Sequence, residues 1–305
     1  MLRRLSNAAN TVSDAARIFP AGRLPPLGTS SKTDPVEVPD QIKTAAEKQE
    51  KVAPIVSAPR IVFTQGHIKP ISAITVLKAN FLKSSDGKDV APIIVSGGED
   101  KCINFWSVET CSLIMSLNGH AARISGLVLC NPGGGEPLLV SSSWDEHMRV
   151  WPVGKIYSII NGSKKRDDVE ADIQQRCSVI KGHKNRISDV DCIEYSALSE
   201  GSELLCPNQS LVVTGSCDNT FRVYTVQMNG DEVIVDFKFK VFDLTTTWWL
   251  AMKLHVSQIY GPLIVSGGKD HTLRIWKLDR PVDTSGILIV YIIPTIRDHD
   301  TTMLC

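Results

Sequence analysis

One string of fourteen residues occurs four times in this chain, and it limits the folds open to it more than any bulk property. Ile93 to Trp106 reads IIVSGGEDKCINFW, Leu138 to Trp151 reads LLVSSSWDEHMRVW, Leu211 to Tyr224 reads LVVTGSCDNTFRVY, and Leu263 to Trp276 reads LIVSGGKDHTLRIW. In each copy a Ser or Thr stands four residues before an Asp, and a Trp or Tyr stands six after it. Each copy has the pattern of a β-hairpin: β-branched apolar residues for a strand, Gly/Ser with Asp for the turn, then a second apolar run ending in an aromatic. Repeats at intervals of tens of residues belong to folds built by stacking one supersecondary unit on the next.

A second string precedes three of the copies: GHIKPISAI at Gly66, GHAARISGL at Gly119 and GHKNRISDV at Gly182. Together the two strings resemble the WD-repeat family of β-propellers, whose repeats carry a Gly-His signature over about 40–45 residues. The resemblance runs from about Ile61 to Leu278 and implies an all-β propeller with four recognisable blades. It also implies a buried tetrad within each blade, joining the Gly-His histidine, the strand hydroxyl, the turn Asp and the aromatic. The sets are His67/Ser96/Asp100/Trp106, His120/Ser141/Asp145/Trp151 and His183/Thr214/Asp218/Tyr224. The fourth copy has no histidine in Val241 to Thr247, so a triad is expected there, Ser266/Asp270/Trp276, in the least rigid blade. A buried carboxylate is tolerable when donors meet its charge, which is what an imidazole and a hydroxyl supply.

Ser, His and Asp together also invite a hydrolase reading. That chemistry needs an exposed nucleophile beside an oxyanion hole, whereas these hydroxyls sit in apolar strands and recur in every copy. Glu99, His147 and His271 are the other candidates for chemistry, and they share no spacing. No catalytic, cofactor or metal role is assigned. The cysteines show no CxxC pair, which argues against zinc and fits a reducing compartment.

Residues 1–59 read differently from the rest. Leu2, Leu5, Ala9, Val12, Ala16 and Phe19 mark one face of a helix, and Arg3, Arg4 and Arg17 stand against Asp14 alone. That profile fits mitochondrial targeting by residues 1–25, a docking helix or an unstructured leader. Pro20 to Pro59 is linker-like, and most of 1–59 is expected to be disordered. The propeller is expected over 60–293, in repeats of about 60–118, 119–181, 182–242 and 243–293, with a tail at 294–305. Ile61–Phe63 is placed to be an outer strand.

The tetrad Asp residues are 45, then 73, then 52 apart. Insertions at Gly154–Arg176 and Tyr195–Gln209 account for the long interval and are expected as loops, either specificity-bearing or merely solvated. Four blades is the low limit for a closed ring. The chain could be a piece of a longer product, half of a ring completed by a second chain, or a ring with further blades in the N-terminal linker. The last is disfavoured because Pro20–Pro59 lacks strand patterning.

The resemblance implies a non-catalytic scaffold that binds protein or peptide partners in a multiprotein complex, cytoplasmic or nuclear. Contact positions are expected at the variable residue before each turn Asp (Glu99, Trp144, Cys217, Lys269) and after the histidines (Lys69, Arg123, Arg186). Trp144 is singled out because Trp and Arg dominate interface energetics; the alternative is packing on its own hairpin. Lys plus Arg and Asp plus Glu are both 33, which argues against general nucleic-acid affinity. An RNA-associated subunit stays open if Lys69, Arg123, Arg186 and Lys269 share a rim. A ubiquitin-ligase adaptor fits less well: the Arg or Lys expected three residues past each aromatic is replaced by Glu109, Gly154, Gln227 and Asp279. The longest apolar run, Ile287 to Ile293, is far short of the ~20 residues that span a bilayer.

Overall fold

The computed structural model describes residues 66–78, 91–194, 197, 205–242, 248–270, 272–278 and the backbone of 289–293. They form four antiparallel sheets of four strands each. Blade 1 is β1 (Ile71–Leu77), β2 (Ile93–Gly98), β3 (Ile103–Ser107) and β4 (Leu113–Leu117). Blade 2 is β5 (Ile124–Cys130), β6 (Leu138–Ser143), β7 (His147–Pro152) and β8 (Ser178–Lys181). Blade 3 is β9 (Ile187–Glu194), β10 (Ser210–Ser216), β11 (Thr220–Asn229) and β12 (Glu232–Phe242). Blade 4 is β13 (Trp249–Ser257), β14 (Gly261–Gly268), β15 (Leu273–Lys277) and β16 (Ile289–Ile293). Each blade is a meander in chain order, and the repeated string forms its second and third strands. The expected all-β, four-bladed architecture is what the chain adopts. The apolar run ending at Ile293 pairs with β15 as the outer strand of blade 4.

The second strands of blades 2 and 3 are buried on both faces because a blade presses on each. All of β6 and β10 is buried. Leu77, Val95, Phe105 and Met115 of blade 1 pack with Ile124, Leu127 and Leu139 of blade 2. Val140, Met148 and Val150 of blade 2 meet Val190, Val212 and Tyr224 of blade 3. Phe221, Val223 and Val213 of blade 3 meet Trp249, Met252, Ile264 and Trp276 of blade 4. Closeness is enforced at glycine: a Cβ on Gly97 would fall 2.5 Å from Ile124 Cγ2 across the first interface.

Polar side chains also cross between blades. Ser72 Oγ donates to the Ile124 carbonyl at 2.5 Å. On β9, the carboxylate of Asp189 accepts from Met252 N–H (2.8 Å) and that of Asp191 from Leu254 N–H (2.7 Å), so two acids of blade 3 grip the backbone of β13.

The insertion at Gly154–Arg176 corrects an expectation. It is not a loop but a single helical turn, α1 (Tyr157–Ile160), followed by α2 (Arg166–Arg176). Val169 and Ile173, four apart on one helix face, are buried with Leu117 of blade 1 and Trp151, Val153 and Ile156. Arg176 fastens the end of α2, donating to Glu136 Oε2 at 2.8 Å and to Asp172 Oδ2 at 2.6 Å. The second insertion lies mostly outside the described residues, as do residues 1–59, Ile61–Phe63 and 294–305. No described helix is long and apolar enough to cross a membrane.

Candidate recognition face and its supporting tetrads

The hydrogen bonds in blade 2 fix where each proton sits. Trp151 Nε1–H can only donate, and Ser141 Oγ accepts it at 2.9 Å. The single hydroxyl proton is then directed to His120 Nε2, 2.8 Å away. The imidazole is therefore protonated on Nδ1 and donates to Asp145 Oδ2 at 2.8 Å. Asp145 also receives the N–H groups of Ala121 and His147. Burial by itself would raise Asp145, yet these donors, His120 foremost, hold its carboxyl well below the usual carboxylate range. Burial lowers the pKa of His120 and outweighs its contact with Asp145, so the ring is neutral.

Blade 1 repeats the arrangement: Trp106 Nε1 to Ser96 Oγ at 2.8 Å, Ser96 to His67 Nε2 at 2.8 Å, and His67 Nδ1 to Asp100 Oδ1 at 2.8 Å. In blade 3 His183 joins Thr214 Oγ1 (2.9 Å) to Asp218 Oδ2 (3.0 Å), and a buried Tyr224 takes the aromatic place. Asp218 is held low as Asp145 is, burial opposing and His183, Thr220 and Lys184 N–H prevailing. Burial likewise lowers His183.

Blade 4 differs from the expected triad. Ser266 Oγ accepts from Trp276 Nε1 at 2.8 Å, but Asp270 belongs to a separate link. Its Oδ1 takes Thr272 N–H and Oγ1–H, and its Oδ2 pairs with Arg274. The buried guanidinium of Arg274 thus meets the charge that histidine meets elsewhere. The signal was present in the sequence, since Arg149, Arg222 and Arg274 all lie four residues after the turn Asp. In blades 2 and 3 that arginine donates instead to the carbonyl of Gly119 or Gly182, before the histidine.

The hydroxyls of Ser96, Ser141, Thr214 and Ser266 belong to fully buried residues and are already engaged. None is open to a substrate. His147 lies 3.6 Å from Asp145 Oδ1, Glu99 pairs with Arg123, and His271 is outside the described residues. No group of three or more potential metal ligands occurs among the described residues.

The tetrads hold up a rim of variable residues. In every blade the residue before the turn Asp donates its backbone N–H to a carbonyl just ahead of the first strand. The pairs are Glu99 to Pro70 (2.9 Å), Trp144 to Arg123 (3.0 Å), Cys217 to Arg186 (2.9 Å) and Lys269 to Trp248 (3.0 Å). This gives Glu99, Trp144, Cys217 and Lys269 equivalent places in the four blades, with Arg123 and Arg186 at the paired carbonyls of blades 2 and 3. Lys69 is exposed but is not the counterpart of the two arginines; Pro70 holds that place in blade 1. Trp248 holds it in blade 4, where no Gly-His string marks the position.

Trp144 is 38% exposed, yet two guanidiniums lie over its ring: Arg123 of the same blade 4.7 Å and Arg186 of the next blade 4.5 Å from its centroid. Arg123 Nη1 in turn donates to Glu99 Oε1 at 3.1 Å. Glu99, Arg123, Trp144 and Arg186 therefore form one continuous line from blade 1 to blade 3. Blade 4 carries the same pairing with the two roles exchanged, Lys269 Nζ lying 4.5 Å from the Trp248 ring. Trp249, beside it, is buried against Phe221 and Trp276.

Comparison with known proteins agrees with this geometry. The family described as WD domain, G-beta repeat, matches residues 111–152, 174–225 and 252–277. The first two matched units start at or before an outer strand and end in the third strand of the next blade. The WD repeat-containing protein pop2 of Schizosaccharomyces pombe is 27% identical over 156 residues, 47% of this chain and 19% of its own. The ribosome biogenesis protein WDR12 homolog of Culex quinquefasciatus is 20% identical over 232 residues, 73% of this chain and 45% of its own. The periodic tryptophan protein 2 homolog of Neurospora crassa is 42% identical over 62 residues, 20% of this chain and 7% of its own. The chain spans less than half the length of these curated relatives. The chain thus carries WD repeats in three places along a file of four-stranded blades.

Proposed function

We propose that the chain is a non-catalytic scaffold that binds protein or peptide partners through the rim carrying Trp144. The observation that supports this most is the partly exposed indole of Trp144, held in place by Arg123 of its own blade and Arg186 of the next. A side chain already ordered loses little entropy on binding, and Trp and Arg are the residues that most often carry interface energy. Glu99, Cys217 and Lys269 occupy the same ring of positions, as Lys69 does less directly, and would tune which partner fits. The compartment follows the partner and would be cytoplasmic or nuclear.

The test is affinity purification with mass spectrometry of the wild-type chain and Trp144→Ala, with melting measured for both. The expected result is a discrete set of partners lost from a variant that still folds. Recovery of the same partners by both proteins would refute the reading.

A second reading, an RNA-associated subunit of a ribonucleoprotein assembly, is favoured by the cations on the rim and accords with the names of the WDR12 relatives. It predicts a shift with RNA that weakens steeply as salt rises.

A further inference from the structure

We infer that the Trp144 rim takes an acidic peptide segment, with Arg186 receiving a carboxylate; this rests on the scaffold reading above. The chain's balance of charge conceals a local excess. Around the rim stand Lys69, Lys101, Arg123, Lys184, Arg186 and Lys269, against which the acids beside the turns are Glu99, paired with Arg123, and Glu146. The turn aspartates keep their charge, but their oxygens are committed to a histidine, or to Arg274, and to backbone N–H groups, so they do not pair with the rim cations.

Within that rim the two arginines differ. Arg123 is matched by Glu99, while Arg186 is exposed and has no carboxylate partner among the described residues. Its backbone is pinned by Cys217 N–H and its guanidinium is held 4.5 Å from the indole of Trp144. A planar fork on an exposed residue, already positioned against the indole, suits a bidentate carboxylate. One free guanidinium matches one carboxylate at a time. Lys184, in the same segment as Arg186, and Lys269 of blade 4 stand for further acids along an extended segment. The indole edge between the guanidiniums supplies an apolar shoulder for a neighbouring residue of the peptide.

The same stack argues against single-stranded RNA as the occupant. Sequence-tolerant RNA binding uses open aromatic faces on which bases stack. Here Arg123 and Arg186 both lie over the Trp144 ring, and Lys269 lies over that of Trp248.

Fluorescence anisotropy on the full chain tests this. The probes are a labelled peptide of alternating Glu and Leu, its Gln analogue, its phosphoserine analogue and a single-stranded RNA oligonucleotide. The Glu peptide is expected to bind at least tenfold more tightly than the Gln peptide, to weaken with salt, and to lose about tenfold on Arg186→Ala. Arg186→Lys, which keeps the charge but not the fork, is expected to fall between. Equal binding of the Glu and Gln peptides, no effect of Arg186→Ala, or tighter binding of phosphoserine peptide or RNA would overturn the inference. If acidic peptides fail while Trp144→Ala still strips partners in the purification, the scaffold reading stands and this inference falls. If Trp144→Ala strips none, the scaffold reading falls first.

Discussion

Ser141→Ala and Ser266→Ala remove the same hydroxyl from equivalent strands, and the structure assigns them different costs. Ser141 Oγ serves two buried partners, Trp151 Nε1 at 2.9 Å and His120 Nε2 at 2.8 Å. Ser266 Oγ serves one, Trp276 Nε1 at 2.8 Å, because Asp270 is satisfied by Arg274 instead. Each buried polar group left without a partner costs about 1–3 kcal/mol. Ser141→Ala should therefore cost about 2–6 kcal/mol and Ser266→Ala about 1–3 kcal/mol. The volume change is the same in both, so packing cancels in the comparison. Urea unfolding followed by circular dichroism gives the two midpoints, and an unchanged slope with denaturant confirms that the unfolding event is the same. Equal costs, or a larger cost for Ser266→Ala, would refute the hydrogen-bond accounting on which the tetrad description stands.

Other outcomes follow from named contacts. Ile173→Ala should destabilise by about 2–5 kcal/mol, as for buried large-to-small changes, because α2 is held by that residue and Val169; a surface-like cost under about 0.5 kcal/mol would show that the insertion is not packed. Gly97→Ala should cost about 1–3 kcal/mol through overpacking against Ile124, and a gain in melting temperature would contradict the tight interface. Acid should destabilise the chain in two stages. His120 and His183 are neutral in the fold with pKa values lowered by burial, so their contribution is lost as pH falls below about 6.5. Asp145 and Asp218 are held low, so theirs is present above about 4 and lost below it. Asp189 runs the other way: burial raises it to about 6, so between about 4 and 6 it favours the fold more as pH falls. Asp189→Asn should accordingly steepen the drop in melting temperature between pH 6 and 4, and a shallower drop would contradict the assignment.

The blades were legible because each carries its own record: a strand run, a turn Asp and an aromatic at fixed spacing. The same spacing located the tetrads of blades 1 to 3, since hairpin register places Ser141 opposite Arg149 and Leu139 opposite Trp151 whatever lies outside the hairpin. Blade 4 was misread as a bare triad because the histidine was sought in one place only, while Arg274 reaches Asp270 from within its own strand. The helix α2 was hidden by its composition. Two apolar residues, Val169 and Ile173, sit among charges, and their burial depends on the outer strand of another blade. The stack of Arg123, Trp144 and Arg186 was partly visible, since both arginines precede the same Ile-Ser in their strings. That they flank one indole depends on how blade 2 turns relative to blade 3, which no local pattern encodes. The same Ile-Ser in the first string puts Pro70, not Lys69, in the place of the two arginines, and the hydrogen bond from Glu99 to Pro70 agrees.

The account divides one hairpin into a buried support and an exposed contact, and Ser141 and Trp144 stand three residues apart on either side of that division. Measuring partner affinity and melting temperature together for Ser141→Ala and Trp144→Ala, at a temperature where both are folded, tests the division directly. The predicted result is reduced stability with wild-type affinity for Ser141→Ala, and at least tenfold weaker affinity with melting lowered by a few degrees for Trp144→Ala. Wild-type affinity in Trp144→Ala, or lost affinity in a fully folded Ser141→Ala, would contradict it.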